Sequence, residues 1–178
     1  MFDKLSEIKA RENPNDEIYT PPSLARDLIK QVDIKEGQSC LDPFYGTGAF
    51  YDNFPSLPQL HDFCEINLGK DFFKEKRKFD WIISNPPFSQ LTNIFTHTID
   101  RCNVGFAYLI PAYSLTCHRI KTCNNLGFYI NKIVHFRNPK SWNIGFQMIF
   151  VIFTKNKNDS FVNLESCTTV QRRLFDDI

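Results

Sequence analysis

Apolar and polar positions along the chain change period several times, and each change predicts an element. Residues 22–32, PSLARDLIKQV, carry Leu24, Leu28, Ile29 and Val32 at the spacing of one helix face. Thr20 and the prolines after it read as the capped start of that helix. Five apolar runs of strand length follow: SCLD (39–42), HDFCEI (61–66), DWIIS (80–84), VGFAYLIP (104–111) and FQMIFVIF (146–153). Between them, LTNIFTHTIDRC (91–102) sets Leu91, Ile94, Phe95 and Ile99 on one helix face, and AYSLTCHRIKTCNNLG (112–127) is a second helix closed by Gly127. Strands alternating with helices predict a mainly parallel sheet in an α/β fold. The tail breaks the rhythm. FYINKIVHF (128–136) and FQMIFVIF are joined by RNPKSWNIG, which has no helical period, so a C-terminal antiparallel strand pair is expected. Residues 3–11 read as a short polar helix.

Length and composition narrow the classes. The 178 residues suit one hydrophobic core. With 21 Lys+Arg against 20 Asp+Glu the formal charge is +1, so any nucleic-acid contact must come from a local patch. The 18 Phe against 7 Gly suit a sheet-rich core and leave rings for a binding surface. Six Cys without a CxxC pair read as reduced thiols of an intracellular protein rather than zinc ligands. The charged N-terminus lacks a signal-peptide core, and the longest apolar run, 148–153, is far below the roughly 20 residues of a membrane span. The expected setting is therefore soluble and intracellular, cytoplasm or nucleoid, with no membrane partner.

Ligands of open α/β sheets sit at the carboxyl ends of the strands. Reading only those ends isolates Asp42-Pro43-Phe44-Tyr45-Gly46-Thr47-Gly48, then Glu65, then Asp71 near a short third segment, then Asn85-Pro86-Pro87-Phe88. Gly46 and Gly48 permit a tight turn close to a small ligand, and Asp42 can accept from backbone amides or an ammonium group. Glu65 stands where a carboxylate grips ribose hydroxyls in such sheets. Asp71 is placed to accept from an adenine amino group, with Phe72 or Phe73 as an alternative contact that sandwiches the ring.

In this order the pieces resemble adenine-N6 methyltransferases dependent on S-adenosylmethionine. Tyr19-Thr20-Pro21 matches the N-terminal motif, LDPFYGTGAF (41–50) the glycine loop, Glu65 and Asp71 the acidic positions, and NPPF (85–88) the catalytic motif. The resemblance spans about residues 17–154. It implies a Rossmann-like class I methyltransferase sheet and S-adenosylmethionine held by Tyr19, Thr20, Pro21, Asp42, Pro43, Gly46, Gly48, Glu65, Asp71 and Phe72. The implied reaction is methylation of adenine N6 in DNA. RNA adenine, protein glutamine and a catalytically silent binding subunit are the alternatives. The expected organisation is one methyltransferase domain over 1–178, with an N-terminal extension (1–17), a tail (155–178) and no separate target-recognition domain.

The chemistry of NPPF follows from its residues. An exocyclic adenine amine is a poor nucleophile because its lone pair is delocalised into the ring. The Asn85 side-chain oxygen and the Pro86 carbonyl can each accept one amino hydrogen and favour a pyramidal nitrogen, without a general base or a metal. Pro86 and Pro87 stiffen the loop, and Phe88 offers a face for the base. Lys76, Arg77, Arg119 and Trp142 are the candidate polymer contacts. So few cations imply loose recognition of DNA or RNA, or a second copy or partner that supplies specificity. Only six positions separate Glu65 from Asp71, too few for a helical crossover, so INLG is expected to be a tight turn.

Overall fold

The computed structural model describes residues 18–55 and 57–156; the helix expected at 3–11 and the tail beyond 156 lie outside the described residues. Six strands form one sheet: β1 (Cys40–Asp42), β2 (His61–Phe63), β3 (Phe79–Ser84), β4 (Cys102–Pro111), β5 (Tyr129–His135) and β6 (Met148–Thr154). Their spatial order is β2-β1-β3-β4-β6-β5. The first four run parallel, while β6 lies antiparallel to both β4 and β5. The expected mainly parallel sheet with a C-terminal antiparallel pair is therefore what the chain forms.

Among the described residues three α-helices cover the sheet: α1 (Pro22–Ile29), α2 (Leu91–Arg101) and α3 (Cys117–Asn125). Alternate residues of each strand point to opposite faces, so the core divides in two. On one face Leu41, Ile82, Phe106, Tyr108, Val151 and Phe153 pack with Ile94 and Phe95 of α2 and Cys123 of α3. On the other, Cys40, Trp81, Ile83, Leu109 and Phe150 pack with Ala25, Leu28 and Ile29 of α1 and with Phe50 and Phe54. All seven residues of β6, and Gly105 to Pro111 of β4, are buried, the continuous pattern of central strands.

Several local expectations are corrected. Thr20 does not cap α1: Pro21 is the flanking residue with no side-chain cap, and the buried Thr20 hydroxyl has no partner among the described residues. The expected helix at 112–127 is a single 3₁₀ turn, Ala112–Ser114, followed by α3. Thr116 stops a continuous helix by capping α3 itself, its hydroxyl accepting from Arg119 N at 3.2 Å. No strand forms near Asp71. INLG is the expected turn, a 3₁₀ segment Ile66–Leu68 ended by Gly69 at φ +76°, and a second 3₁₀ turn, Phe72–Lys74, follows. β2 is shorter than its apolar run and forms one edge of the sheet.

Two polar clamps fix β1 against β3. At the amino ends, Ser39 donates to Asp80 through its backbone N and its hydroxyl, each at 2.9 Å. At the carboxyl ends, the Ser84 hydroxyl donates to Asp42 Oδ1 at 2.6 Å. The chain leaves β1 toward β2 and later returns to β3 on the other side, which makes the carboxyl ends of β1 and β3 the topological switch point.

One close approach in the sheet gives a test. A Cβ at Gly105 would sit 2.5 Å from the Trp81 ring and 2.6 Å from the Phe153 carbonyl oxygen. Backbone on one side and a buried indole on the other leave no room to yield. Gly105→Ala is expected to destabilise the fold by about 2–3 kcal/mol, read as a lowered urea midpoint.

Candidate active site

At the switch point lies a cavity of about 530 Å³, within the range of small-molecule sites. Its wall brings together Tyr19, Thr20, Pro43, Gly46, Glu65, Asp71, Phe72, Asn85 and Pro87 from the sequence reading. Ile18, Tyr45, Thr47, Asn67, Lys70 and Gln90 also line it. Four apolar side chains of the wall stay exposed: Tyr19, Ile66 (72%), Leu68 (64%) and Phe73. Such exposure of apolar groups around a concave surface suits a flat, apolar-faced ligand.

The turn after β1 is built by its glycines. Gly46 (φ +53°) and Gly48 (φ +80°) both adopt the left-handed backbone. At Gly48 the lack of a side chain is also steric, since a Cβ there would lie 2.8 Å from the Tyr45 hydroxyl. Gly46 N donates to Glu65 Oε2 at 3.1 Å, while Glu65 Oε1 accepts from Asn67 N at 3.1 Å. The carboxylate is thus oriented at the cavity wall by two backbone amides, and each oxygen keeps acceptor capacity. Asp71 is held similarly, accepting from Phe73 N at 2.9 Å.

Asp42 lies beneath this turn rather than in the cavity wall. Its Oδ1 accepts from Ser84 and, at 3.2 Å, from Phe44 N, while Oδ2 is buried without a partner among the described residues. Of the two roles open to it in the sequence, the backbone-amide role is the one the structure displays. Burial pushes its pKa up to about 7, against the lowering effect of the Ser84 and Phe44 hydrogen bonds.

β3 delivers Asn85 to the opposite wall. Its Nδ2 donates to the Ile18 carbonyl at 2.5 Å, which fixes the amide orientation. The Oδ1 is buried and has no partner among the described residues. A buried acceptor left unpaired on a residue that lines a cavity is a departure from the usual pairing of buried polar groups. Pro86 is buried beside it and outside the lining. Phe88 is half-buried, its ring edge-on to Phe146 at 6.2 Å, and Phe146 meets the exposed Tyr113 at 5.5 Å. These three rings form an aromatic ledge that the sequence reading traced only to Phe88.

Of the other predicted residues, Phe72 is a nearly enclosed part of the wall and the rest lie outside it. Pro21 and Gly48 support the wall without lining it. Phe72 is 3% exposed and packs edge-on to Phe44 and His97, so Phe73 is the neighbour with an open face. Lys76 and Arg77 lie outside the cavity. Arg77 bonds Glu75 and Asp62, and this hydrogen-bonded guanidinium holds the Glu75 carboxyl down at about 2. Arg119 donates to Ser114 O and to Thr92 and stacks over Phe95, strapping α2 to α3. Trp142 donates its indole N–H to the Tyr19 carbonyl at 2.9 Å.

No protein-family model matches the chain, and no curated protein matches it. Solved structures do. A proposed RNA methyltransferase from Pyrococcus horikoshii aligns with a TM-score of 0.60 at 18% identity, covering 88% of this chain and 100% of its own. The M protein of the type I restriction enzyme EcoKI aligns at 0.55 and 12% identity, over 82% of this chain and 45% of its own. A magnesium protoporphyrin IX methyltransferase from Synechocystis, solved with bound S-adenosylmethionine, aligns at 0.53 and 10%, over 86% and 82%. What the chain shares with them at such identities is the fold, the Rossmann-like sheet of methyltransferases.

The raised Asp42 pKa makes stability depend on pH. The folded state holds this proton more tightly than the unfolded chain, so the Asp42 contribution to stability is full below about pH 4 and is lost as pH climbs through about 7. The full penalty is roughly 4 kcal/mol. Asp42→Asn is therefore expected to raise Tm relative to the wild type at pH 8, with a gap that closes as pH falls toward 4; thermal melts across that range check it.

Proposed function

We propose that the chain transfers the methyl group of S-adenosylmethionine to the exocyclic N6 amino group of adenine in DNA. The observation that carries this reading is the Asn85 amide, with its N–H₂ side tied to Ile18 and its oxygen buried and unpaired at the cavity. That oxygen can accept one amino hydrogen of an incoming base, and the neighbouring Pro86 carbonyl the other. Two acceptors drawing on the same nitrogen localise its lone pair, which is catalysis by positioning and electrostatics. Restricted φ at Pro86 and Pro87 limits the loop's freedom to misplace them.

The wall fits the proposed cofactor group by group. Glu65, oriented by Gly46 and Asn67, is a bidentate acceptor for two ribose hydroxyls. Ile66, Leu68 and Phe73 give apolar surface for a purine, with Asp71 at its edge. When bound, S-adenosylmethionine would supply a methyl group on a sulfonium: the C–S bond breaks to leave a neutral thioether without an acid, and the proton displaced from the methylated nitrogen passes to solvent. The ledge of Phe88, Phe146 and Tyr113 provides rings for a base drawn out of a stack. Support for DNA as the polymer comes from the joint occurrence of Tyr19-Thr20-Pro21, the DPFYGTG turn and NPPF in one chain.

Labelled S-adenosylmethionine offered with duplex DNA, single-stranded DNA, RNA and protein extract tests the reading. Label is expected in DNA, at adenine N6; label confined to RNA or to protein glutamine would replace the proposed substrate. Asn85→Ala is expected to keep cofactor affinity and lower turnover by about 100-fold or more. Wild-type turnover in that variant would sink the assignment. Glu65→Ala is expected to weaken cofactor binding by about 10–100-fold in calorimetry, the loss of charge-assisted hydrogen bonds.

A further inference from the structure

We infer that Trp142, in the loop between β5 and β6, is a positioning residue that orients the Asn85 amide through the backbone of Ile18 and Tyr19. The inference rests on the proposed role of Asn85. Two consecutive carbonyls of one short segment face two different loops. The Ile18 carbonyl accepts from Asn85 Nδ2 at 2.5 Å, and the Tyr19 carbonyl accepts from Trp142 Nε1 at 2.9 Å. The segment therefore lies as a strap between the loop after β3 and the loop after β5.

The strap is anchored downstream and braced from the side. Thr20 is 5% exposed, and Pro21 closes onto α1 by accepting from Ala25 N at 3.0 Å. The Tyr19 ring lies against the glycine turn, where a Cβ at Gly46 would meet it at 3.5 Å. Trp142 itself is half-buried against Phe136, ring centroids 6.4 Å apart, which limits where its N–H can point. An amide flip at Asn85 would turn its N–H₂ toward the cavity and set its oxygen against the Ile18 carbonyl, two acceptors in contact. The position of that carbonyl decides which end of the amide meets the substrate, and the Trp142 bond restrains the peptide that bears it.

Two replacements separate the bond from the ring. Trp142→Phe removes the donor, and replacement of Trp142 by benzothienylalanine exchanges N–H for sulfur while keeping the bicyclic shape. In the cofactor-free protein, the side-chain N–H₂ signals of Asn85, assigned by Asn85→Asp, are followed by ¹⁵N NMR. Both replacements are expected to shift these signals and to speed their exchange with solvent by about fivefold, the effect of one net hydrogen bond. Turnover is expected to fall by a similar factor, with KM for cofactor within about twofold. Unchanged Asn85 signals in both variants would overturn the inference. Shifted signals in a protein that methylates nothing would uphold the strap and reject the proposed function.

Discussion

The site depends on β1 and β3 being held in one register, and a buried hydrogen bond at their carboxyl ends does this. Ser84 donates to Asp42 at 2.6 Å in a place where neither residue is more than 1% exposed. Ser84 is the last residue of β3 and Asp42 the last of β1, so the residues that follow are Asn85 on one side and the glycine turn on the other. A slip of one residue would carry every apolar side chain of β3 to the wrong face and displace the two loops from each other. The second clamp, between Ser39 and Asp80, makes such a slip break polar pairs at both ends. The same geometry explains the strained titration of Asp42: the carboxylate that ties the strands sits where water does not reach.

Much of this was legible in the sequence, for identifiable reasons. Apolar runs of strand length marked the six strands, most plainly the central ones β3, β4 and β6, which are buried along most of their length and whose composition must answer to that. The missing crossover after Glu65 followed from chain length alone, and the structure places two 3₁₀ turns where a helix and strand had no room. That Asn85, Glu65 and Gly46 would meet at one cavity was legible because all three follow strand ends. What stayed hidden were contacts made between backbone groups and remote side chains. Ile18 enters the site through its carbonyl, which its side chain does not announce. Arg77 and Arg119 look like free cations in the sequence, but Arg77 is taken up by its near neighbour Glu75 and by Asp62, which the fold brings to it, and Arg119 by the Ser114 carbonyl. Thr116 does not announce itself as a cap, because Ala112 and Tyr113 read as a continuation of the helix upstream.

The three structural relatives act, by their names, on RNA, in a restriction system and on a porphyrin, so one sheet serves unlike substrates. In this chain the aromatic ledge is made by short loops: NPPF, the turn Ala112–Ser114 and the stretch from Phe136 to Gln147. Their rings converge on Phe146 from two directions. A ledge of rings assembled from separate connections can be altered by changing one of them, while the paired strands beneath stay constant.

The short β2 has a further consequence, for where the molecule opens first. β1 and β2 pair over three residues, whereas β4 and β6 pair over seven, both strands fully buried along that length. Cooperative units follow such differences in buried contact, and the half from β3 to β5 forms the more protected one. The half that carries Glu65, Asp71 and the exposed apolar wall opens at smaller free energy. A ligand gripped by that wall would bind only its closed form, so ligand occupancy and local order in this half rise together by mass action.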